Sequence, residues 1–120
     1  MKCVELANRR NTTSPVGEMS MNNKLVLRAI ANERRLQILD WLRSPRHHFP
    51  PQIDGDLEKD GVCGVRIAEK LRISHPTLSE HMRILSQAGL VRSKRVKQWT
   101  FFRRNDVTIN AVKKQILKRL

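Results

Sequence analysis

A run of polar side chains between residues 74 and 83 repeats at spacings that place them on one side of a helix. The set consists of His75, Thr77, Ser79, Glu80 and Arg83. Hydroxyl, imidazole and guanidinium groups on one helix face are suited to hydrogen bonding with phosphates and with base edges in a major groove. The alternative is an ordinary solvated helix face, and the residue types alone leave both interpretations open.

Apolar residues at helical spacing mark two short helices that would hold this polar face. They are Ile67, Ala68 and Leu71 in the first helix, and Leu78, Met82 and Leu85 in the second. Ser74 is suited to cap the second helix, Pro76 falls in its first turn, and Gly89 follows its last turn. The spacing predicts a helix–turn–helix.

Two runs with strand character follow, at residues 90–95 and 99–104. The tip between and beside them carries the polar residues Lys94, Arg95, Lys97 and Gln98. A hairpin with a cationic tip beside a helix–turn–helix is typical of a wing that lies along the DNA backbone or minor groove. The alternative is an exposed hairpin whose charged edges discourage aggregation.

The charge balance favours a polyanionic partner. The 120 residues include 24 Lys+Arg and 11 Asp+Glu, which gives a formal net charge of +13. Residues 91–120 hold ten basic residues and one acid, Asp106, whereas Asp54, Asp56, Glu58 and Asp60 crowd into one short segment. Such segregation indicates a binding face for nucleic acid rather than evenly spread solubilising charge.

The rest of the chain completes one small domain. Residues 1–17 lack apolar periodicity and are predicted to form a flexible tail, so that the domain spans residues 18–120. A first helix begins near Met21, and Asn32 caps a second helix that runs to about Leu42 and buries Leu36, Leu39 and Leu42. Residues 44–61 are an unusually long proline- and glycine-containing loop, which Phe49, Ile53 and Leu57 are predicted to anchor.

Asp106 is suited to cap a last helix with an apolar stripe. That stripe and the first helix predict a two-fold dimer interface made of Leu25, Ile109, Val112, Ile116 and Leu120. The expected fold is therefore mainly α with a small β-hairpin, a winged helix–turn–helix that pairs as a homodimer through its first and last helices. Such a dimer would set two recognition helices one DNA turn apart on a pseudo-palindrome.

No apolar run is long enough for a membrane span or a secretory signal, so the cytoplasm is the expected compartment and no membrane partner is expected. Cys3 and Cys63 stand sixty positions apart and make no disulfide framework. A glycine-rich phosphate loop, a nucleophile elbow and a His/Glu metal motif are missing from the sequence, so an enzyme is not expected.

The sequence resembles the arsenic-repressor/metallothionein-repressor (ArsR/SmtB) family of bacterial winged-helix regulators over residues 24–120. The resemblance rests on residues 31–39, on 67–71 with 74–82, and on 88–91 running into the wing; the Ser-x-Pro-Thr-x-Ser-x-His pattern at 74–81 is its most specific part. It implies a homodimeric repressor that binds an operator. By position, it implies DNA contacts at Thr77, Ser79 and His81, although His81 has the alternative of a packed helix residue.

The metal sites of that family look incomplete in this sequence. Its arsenic sensors carry a Cys-x-Cys pair, of which Cys63 matches the first cysteine while Val65 takes the second position. Its zinc sites use Asp and His on the last helix, where Asp106 is present but Thr108 and Arg119 replace the histidines. No cofactor is therefore expected from these family sites, since one thiolate rarely suffices for a soft metal.

Metal binding stays open through the long loop, where Cys63, His47 and His48 are weak candidate ligands. A solvated acidic loop is the alternative for that segment, and Cys63 itself is either a redox switch or a small buried residue.

The expected function is that of a sequence-specific transcriptional regulator, a repressor that reads a DNA operator with residues 74–88 and the wing at 90–104. The alternative is a non-specific basic winged helix that binds RNA, since charge does not separate the two nucleic acids. An aromatic content of 4% with no tyrosine disfavours recognition of single strands by base stacking.

Overall fold

The computed structural model describes residues 16–120, with side chains from residue 23 onward. The elements are α1 (Val16–Ile30), α2 (Glu33–Arg43), α3 (Pro45–His48), β1 (Val62–Cys63), α4 (Gly64–Leu71), α5 (His75–Gln87), β2 (Val91–Val96), β3 (Trp99–Arg104) and α6 (Asp106–Arg119). The fold is mainly helical with one small antiparallel sheet, which confirms the predicted class. No described helix combines the length and the apolar character needed to cross a bilayer.

Helix α1 begins earlier than its hydrophobic pattern. It starts at Val16, so it includes the last two residues of the predicted tail, while residues 1–15 of that tail lie outside the described part. Hydrophobic periodicity marks only the part of a helix that packs on the core, so it does not locate a polar first turn.

The helix–turn–helix forms as predicted, because each of its boundaries is set locally. Arg72 takes a left-handed conformation (φ 57°) at the end of α4, and the Ile73 N–H donates to the Ala68 carbonyl at 3.1 Å. Ser74 Oγ then accepts the Thr77 N–H at 3.3 Å as the N-cap of α5. At the other end Gly89 has φ 77°, and the Leu90 N–H reaches back to the Leu85 carbonyl at 3.0 Å, a common helix ending.

The core lies between the inner faces of the helices and the sheet. Its least exposed large side chains are Phe101, Ile38, Ile67, Met82, Leu85 and Val62. In α2 the buried residues are Ile38, Leu39 and Leu42, whereas Leu36 is 45% exposed. The predicted burial of Leu36 is wrong, because the buried face is centred on the Ile38–Leu42 pair at i, i+4 and Leu36 falls at its margin.

The sheet has a third strand that the sequence pattern did not predict. Its order is β1–β3–β2, with all neighbours antiparallel. Val62 pairs with Phe102, and the wing hairpin runs from the Val91–Arg104 pair to the Val96–Trp99 pair. A two-residue strand is too short to show an alternation of polar and apolar residues, which explains why it was missed.

The acidic loop, defined as residues 50–61, is fastened to this sheet. Gln52 Oε1 accepts the Cys63 N–H at 2.7 Å, and Gln52 Nε2 donates to the Gly61 carbonyl at 3.0 Å. Phe49, just before the loop, and Leu57 are buried as predicted, but Ile53 is 95% exposed and anchors nothing.

Gly61 is the point where the loop rejoins the sheet, and it tolerates no side chain. It has φ 105°, and a Cβ there would lie 2.4 Å from the Phe102 carbonyl oxygen. We expect Gly61→Ala to lower the free energy of unfolding by well over ~2 kcal/mol, because left-handed strain and backbone overlap add. Gly89→Ala imposes the strain at the other positive-φ glycine and is expected to cost about 1 kcal/mol. Urea unfolding of both variants checks this, and equal losses would contradict the overlap at residue 61.

Candidate nucleic-acid interface

The outer face of α5 gathers most of the predicted contact residues. Ser74, His75, Thr77, Ser79, Glu80 and Arg83 are all exposed there. Ser74 Oγ donates to Thr77 Oγ1 at 2.9 Å, so the two hydroxyls at the start of the helix are held together. The opposite face of the same helix is buried in the core, and the polar face is therefore presented outward on a rigid element.

Glu80 and Arg83 form a two-point ion pair on this face. Arg83 Nε donates to Glu80 Oε2 at 2.9 Å, and Arg83 Nη2 donates to Glu80 Oε1. The hydrogen bond from the guanidinium holds the pKa of Glu80 below its usual range. Both side chains are more than half exposed, and exposed ion pairs are weak, so a base edge or phosphate can compete for Arg83.

His81 does not lie on the polar face, and this corrects its predicted role as a DNA contact. It is only 9% exposed, and its Nδ1 lies 3.2 Å from Arg35 Nη1. It follows Leu78 by three residues, so it shares the inner side of α5, a spacing that the sequence already contained. The packed-residue alternative is the one that the structure supports.

Arg35 ties this inner side of α5 to the end of α1. Its Nε donates to the Ala29 carbonyl at 2.7 Å and its Nη2 to the Arg28 carbonyl at 3.2 Å. Burial, followed by the positive charges of Arg35 and Arg34, lowers the pKa of His81. The neutral imidazole is thus the form that accepts a hydrogen bond from Arg35.

The predicted wing residues Lys94, Arg95, Lys97 and Gln98 are exposed at the hairpin tip, where Lys97 takes a left-handed conformation (φ 57°). Two of the cations face the acidic loop. Lys94 Nζ lies 2.5 Å from Asp60 Oδ1, and Lys97 Nζ lies 3.3 Å from Asp54 Oδ1. No local pattern of residues indicates these ion pairs, because the partners are 34 and 43 positions apart.

The weak metal candidates are not brought into a shared site. In the part of the chain that the structure describes, no three His, Cys, Asp or Glu side chains are grouped so as to hold a metal ion. Cys63 is a free, half-buried thiol in β1, His47 is exposed in α3, and the ring of His48 lies 6.5 Å from that of Trp41.

The predicted dimer residues divide into two groups. Ile109 and Val112 are 8% and 7% exposed on the single chain, and Leu25 and Ile116 are half-buried beside them. Leu120 is exposed, together with Leu27 on α1 and Leu117 on α6. An apolar cleft of about 330 Å³ lies between α1, α2 and α6, with Val26, Ile30, Leu36 and Ile116 among its lining residues.

A helix–turn–helix followed by a β-hairpin, with an outward polar face on the second helix and cations on the hairpin, defines a winged helix–turn–helix protein. This is the class that the fold and the site establish together.

Known proteins of the same kind resemble the chain. Residues 65–94 match a family described as a helix-turn-helix domain. The uncharacterized HTH-type transcriptional regulator YbzH of Bacillus subtilis is 39% identical over 84 residues, which are 70% of this chain and 84% of that protein. The transcriptional activator HlyU of Vibrio cholerae is 30% identical over 98 residues, 79% of this chain and 77% of that protein.

Solved structures agree in fold. The structure of HlyU matches with a TM-score of 0.56 and 26% identity, over 87% of this chain and 96% of that one. An ArsR-like transcriptional regulator from Rhodococcus matches with a TM-score of 0.60 over 82% of this chain and 79% of that one, at 20% identity, a likeness of fold alone. The chain belongs to the ArsR/SmtB family of winged helix–turn–helix transcriptional regulators, a family of DNA-binding regulators rather than enzymes.

The buried imidazole of His81 predicts a distinct pH dependence of stability. Because its pKa in the folded chain lies below the ordinary value of 6.5, the unfolded chain binds more protons in the window just below pH 6.5. The contribution of His81 to the free energy of unfolding is therefore fully present above that window, and it is lost as the pH falls through the window. We expect His81→Gln to flatten this part of the profile, measured by urea unfolding between about pH 7.5 and pH 5.5.

His75→Gln is the matched control, since His75 is an exposed histidine of the same helix. An unchanged slope for His81→Gln, or an equal flattening by His75→Gln, would contradict the assignment to the buried ring.

Proposed function

We propose that the protein binds a pseudo-palindromic operator as a homodimer, with α5 in the major groove and the wing along the backbone. The observation that carries this proposal is the outward polar face of α5, which the buried inner face of the same helix holds in a fixed orientation. Ser79 supplies a hydroxyl and Arg83 a guanidinium for base edges, while the Ser74 and Thr77 hydroxyls and His75 suit phosphates near the helix start.

The contribution of the wing is electrostatic. Lys94, Arg95 and Lys97 carry positive charge on an exposed hairpin. Contacts between such side chains and phosphates add affinity for any duplex without reading its sequence. Sequence preference is therefore assigned to α5 and salt-dependent affinity to the wing.

Homodimerisation through the first and last helices has support from exposed apolar residues there. Leu27 lies on α1, Leu117 lies on α6, Leu120 follows the end of α6, and the exposed Leu36 is among the residues that line the apolar cleft between α1, α2 and α6. A second copy related by a two-fold axis would cover these side chains and would pair the two α5 helices on one side of the DNA.

The sign of regulation stays a prediction. Repression was predicted from the family resemblance, whereas one relative carries the name of a transcriptional activator. A repressor and an activator both bind an operator, so DNA binding is measured directly and the sign of regulation is measured in a reporter assay.

The recognition prediction concerns Ser79 and Arg83. Ser79→Ala and Arg83→Ala are each expected to weaken binding to the duplex upstream of the protein's own gene by about ten- to a hundredfold, because base contacts of this kind contribute about 1–3 kcal/mol. Binding to a shuffled duplex should change little. Fluorescence anisotropy at fixed, near-physiological salt measures both.

Gln87→Ala is the control, since Gln87 is exposed at the far end of the same helix. A matched RNA hairpin belongs in the same titration. Equal, salt-sensitive binding of the wild-type protein to operator, shuffled duplex and RNA would favour the non-specific basic protein instead.

The dimer prediction concerns Leu117, which is 67% exposed on a single chain. Leu117→Glu is expected to convert dimers to monomers in sedimentation velocity without unfolding the chain, because the new carboxylate would be buried only in the dimer. Ile53→Glu places the same charge on an exposed apolar residue outside the proposed interface. Dimers that survive Leu117→Glu, or monomers from Ile53→Glu, would place the contact elsewhere.

A further inference from the structure

Two carboxylates of the acidic loop occupy the cations that the wing would offer to DNA. Asp60 Oδ1 lies 2.5 Å from Lys94 Nζ, and Asp54 Oδ1 lies 3.3 Å from Lys97 Nζ. The loop touches β3 as well, where Arg103 Nη1 donates to the Lys59 carbonyl at 3.3 Å. A segment that is distant in sequence thus lies against the hairpin tip and its neighbouring strand.

The loop is built to hold this position. Gln52 joins the start of the loop to Gly61 at its end and to Cys63 in β1, and the Leu57 side chain of the loop is buried. Asp56 Oδ1 accepts the N–H groups of Glu58 and Lys59, at 2.9 and 3.3 Å, which closes a tight turn. The carboxylates therefore approach the wing from an ordered backbone.

Hydrogen bonds lower the pKa of two carboxyl groups of the acidic loop, Asp60 and Asp56. The hydrogen bond from Lys94, followed by that from the Asp56 N–H, holds the pKa of Asp60 below its usual range. The N–H groups of Glu58 and Lys59 do the same for the pKa of Asp56. A phosphate that approaches Lys94 or Lys97 meets fixed negative charge beside its target.

We infer that the acidic loop is a built-in competitor of DNA, in which Asp54 and Asp60 take the place of phosphates on Lys97 and Lys94 until a duplex displaces them. This inference rests on the proposed function, because it takes the wing as a backbone contact.

The exchange is energetically feasible. The side chains of Lys97 and Lys94 are 68% and 49% exposed in these pairs, and ion pairs with this exposure are weak. A duplex presents many phosphates in place of one carboxylate. The expected consequence is that the wild-type protein binds duplex DNA less tightly, and with a shallower salt dependence, than its free wing cations would allow.

The test compares two double variants that remove the same number of charges. Asp54→Asn with Asp60→Asn frees the wing cations, whereas Glu58→Gln with Glu69→Gln removes one carboxylate that pairs with Arg46 at 2.6 Å and one exposed carboxylate on α4. Binding to a random-sequence duplex is measured by anisotropy over a series of salt concentrations.

The loop variant is expected to bind about three- to tenfold more tightly at near-physiological salt, and its log–log salt slope is expected to steepen by up to about two. The control variant should change much less. An equal gain in both variants would reduce the effect to net charge, and weaker binding by the loop variant would mean that the loop positions the wing; either result overturns the inference.

A second comparison avoids disturbance of the loop fold. Asp60 also accepts the Asp56 N–H through Oδ2, so Asp54→Asn alone is measured as well, with an expected slope change of about one. Lys97→Asn, a change that suits the left-handed backbone, should cost more affinity in the Asp54→Asn background than in the wild type. Equal costs in the two backgrounds would overturn the competition between Asp54 and DNA.

These outcomes separate the inference from the proposed function. If the wild-type protein prefers its operator but the loop variant binds the random duplex no more tightly than the wild type, only the inference fails. If the wild-type protein binds no duplex, the proposed function is wrong, and the inference that rests on it is wrong as well.

Discussion

Burial of the inner face of α5 is the constraint on which the proposed interface depends. Leu78, Met82 and Leu85 repeat at i, i+4 and i+7 and are almost fully buried. Each such side chain contributes about 1.5–3 kcal/mol by leaving water. Rotation of the helix about its axis would expose them, so the polar face is held outward by the same energy that holds the core together. A pre-oriented face of this kind loses little entropy when it binds.

The contact between Arg35 and His81 connects this helix with the rest of the helical layer. Arg35 donates to two carbonyls at the end of α1 and to the imidazole on the inner side of α5. The carbonyls at a helix end lack intrahelical partners, and here one guanidinium satisfies two of them while it contacts α5. The helix of the proposed dimer interface and the helix of the proposed DNA interface therefore share one partly buried polar link.

The sequence predicted those features that neighbouring residues determine. Asn32 and Ser74 cap their helices by accepting N–H groups three residues ahead, and Gly89 ends α5 through its own backbone. Features set by distant residues were missed. The strand β1 exists only because β3 pairs with it, and the loop reaches the wing across more than thirty positions. His81 and Leu36 show the intermediate case, in which periodicity located a helix but not the centre of its buried face.

Net charge overstates what the surface offers to a polyanion, because the charges are already partly paired. On α5 the Glu80–Arg83 pair leaves the outer face of the helix close to neutral, so attraction that ignores sequence is weak there and hydrogen-bonding geometry decides. On the wing, two of the cations face carboxylates of the loop. A regulator must select one site among many competing sequences, and low affinity for random duplex raises the ratio of specific to non-specific binding. The loop therefore favours selectivity by the same pairing that reduces affinity.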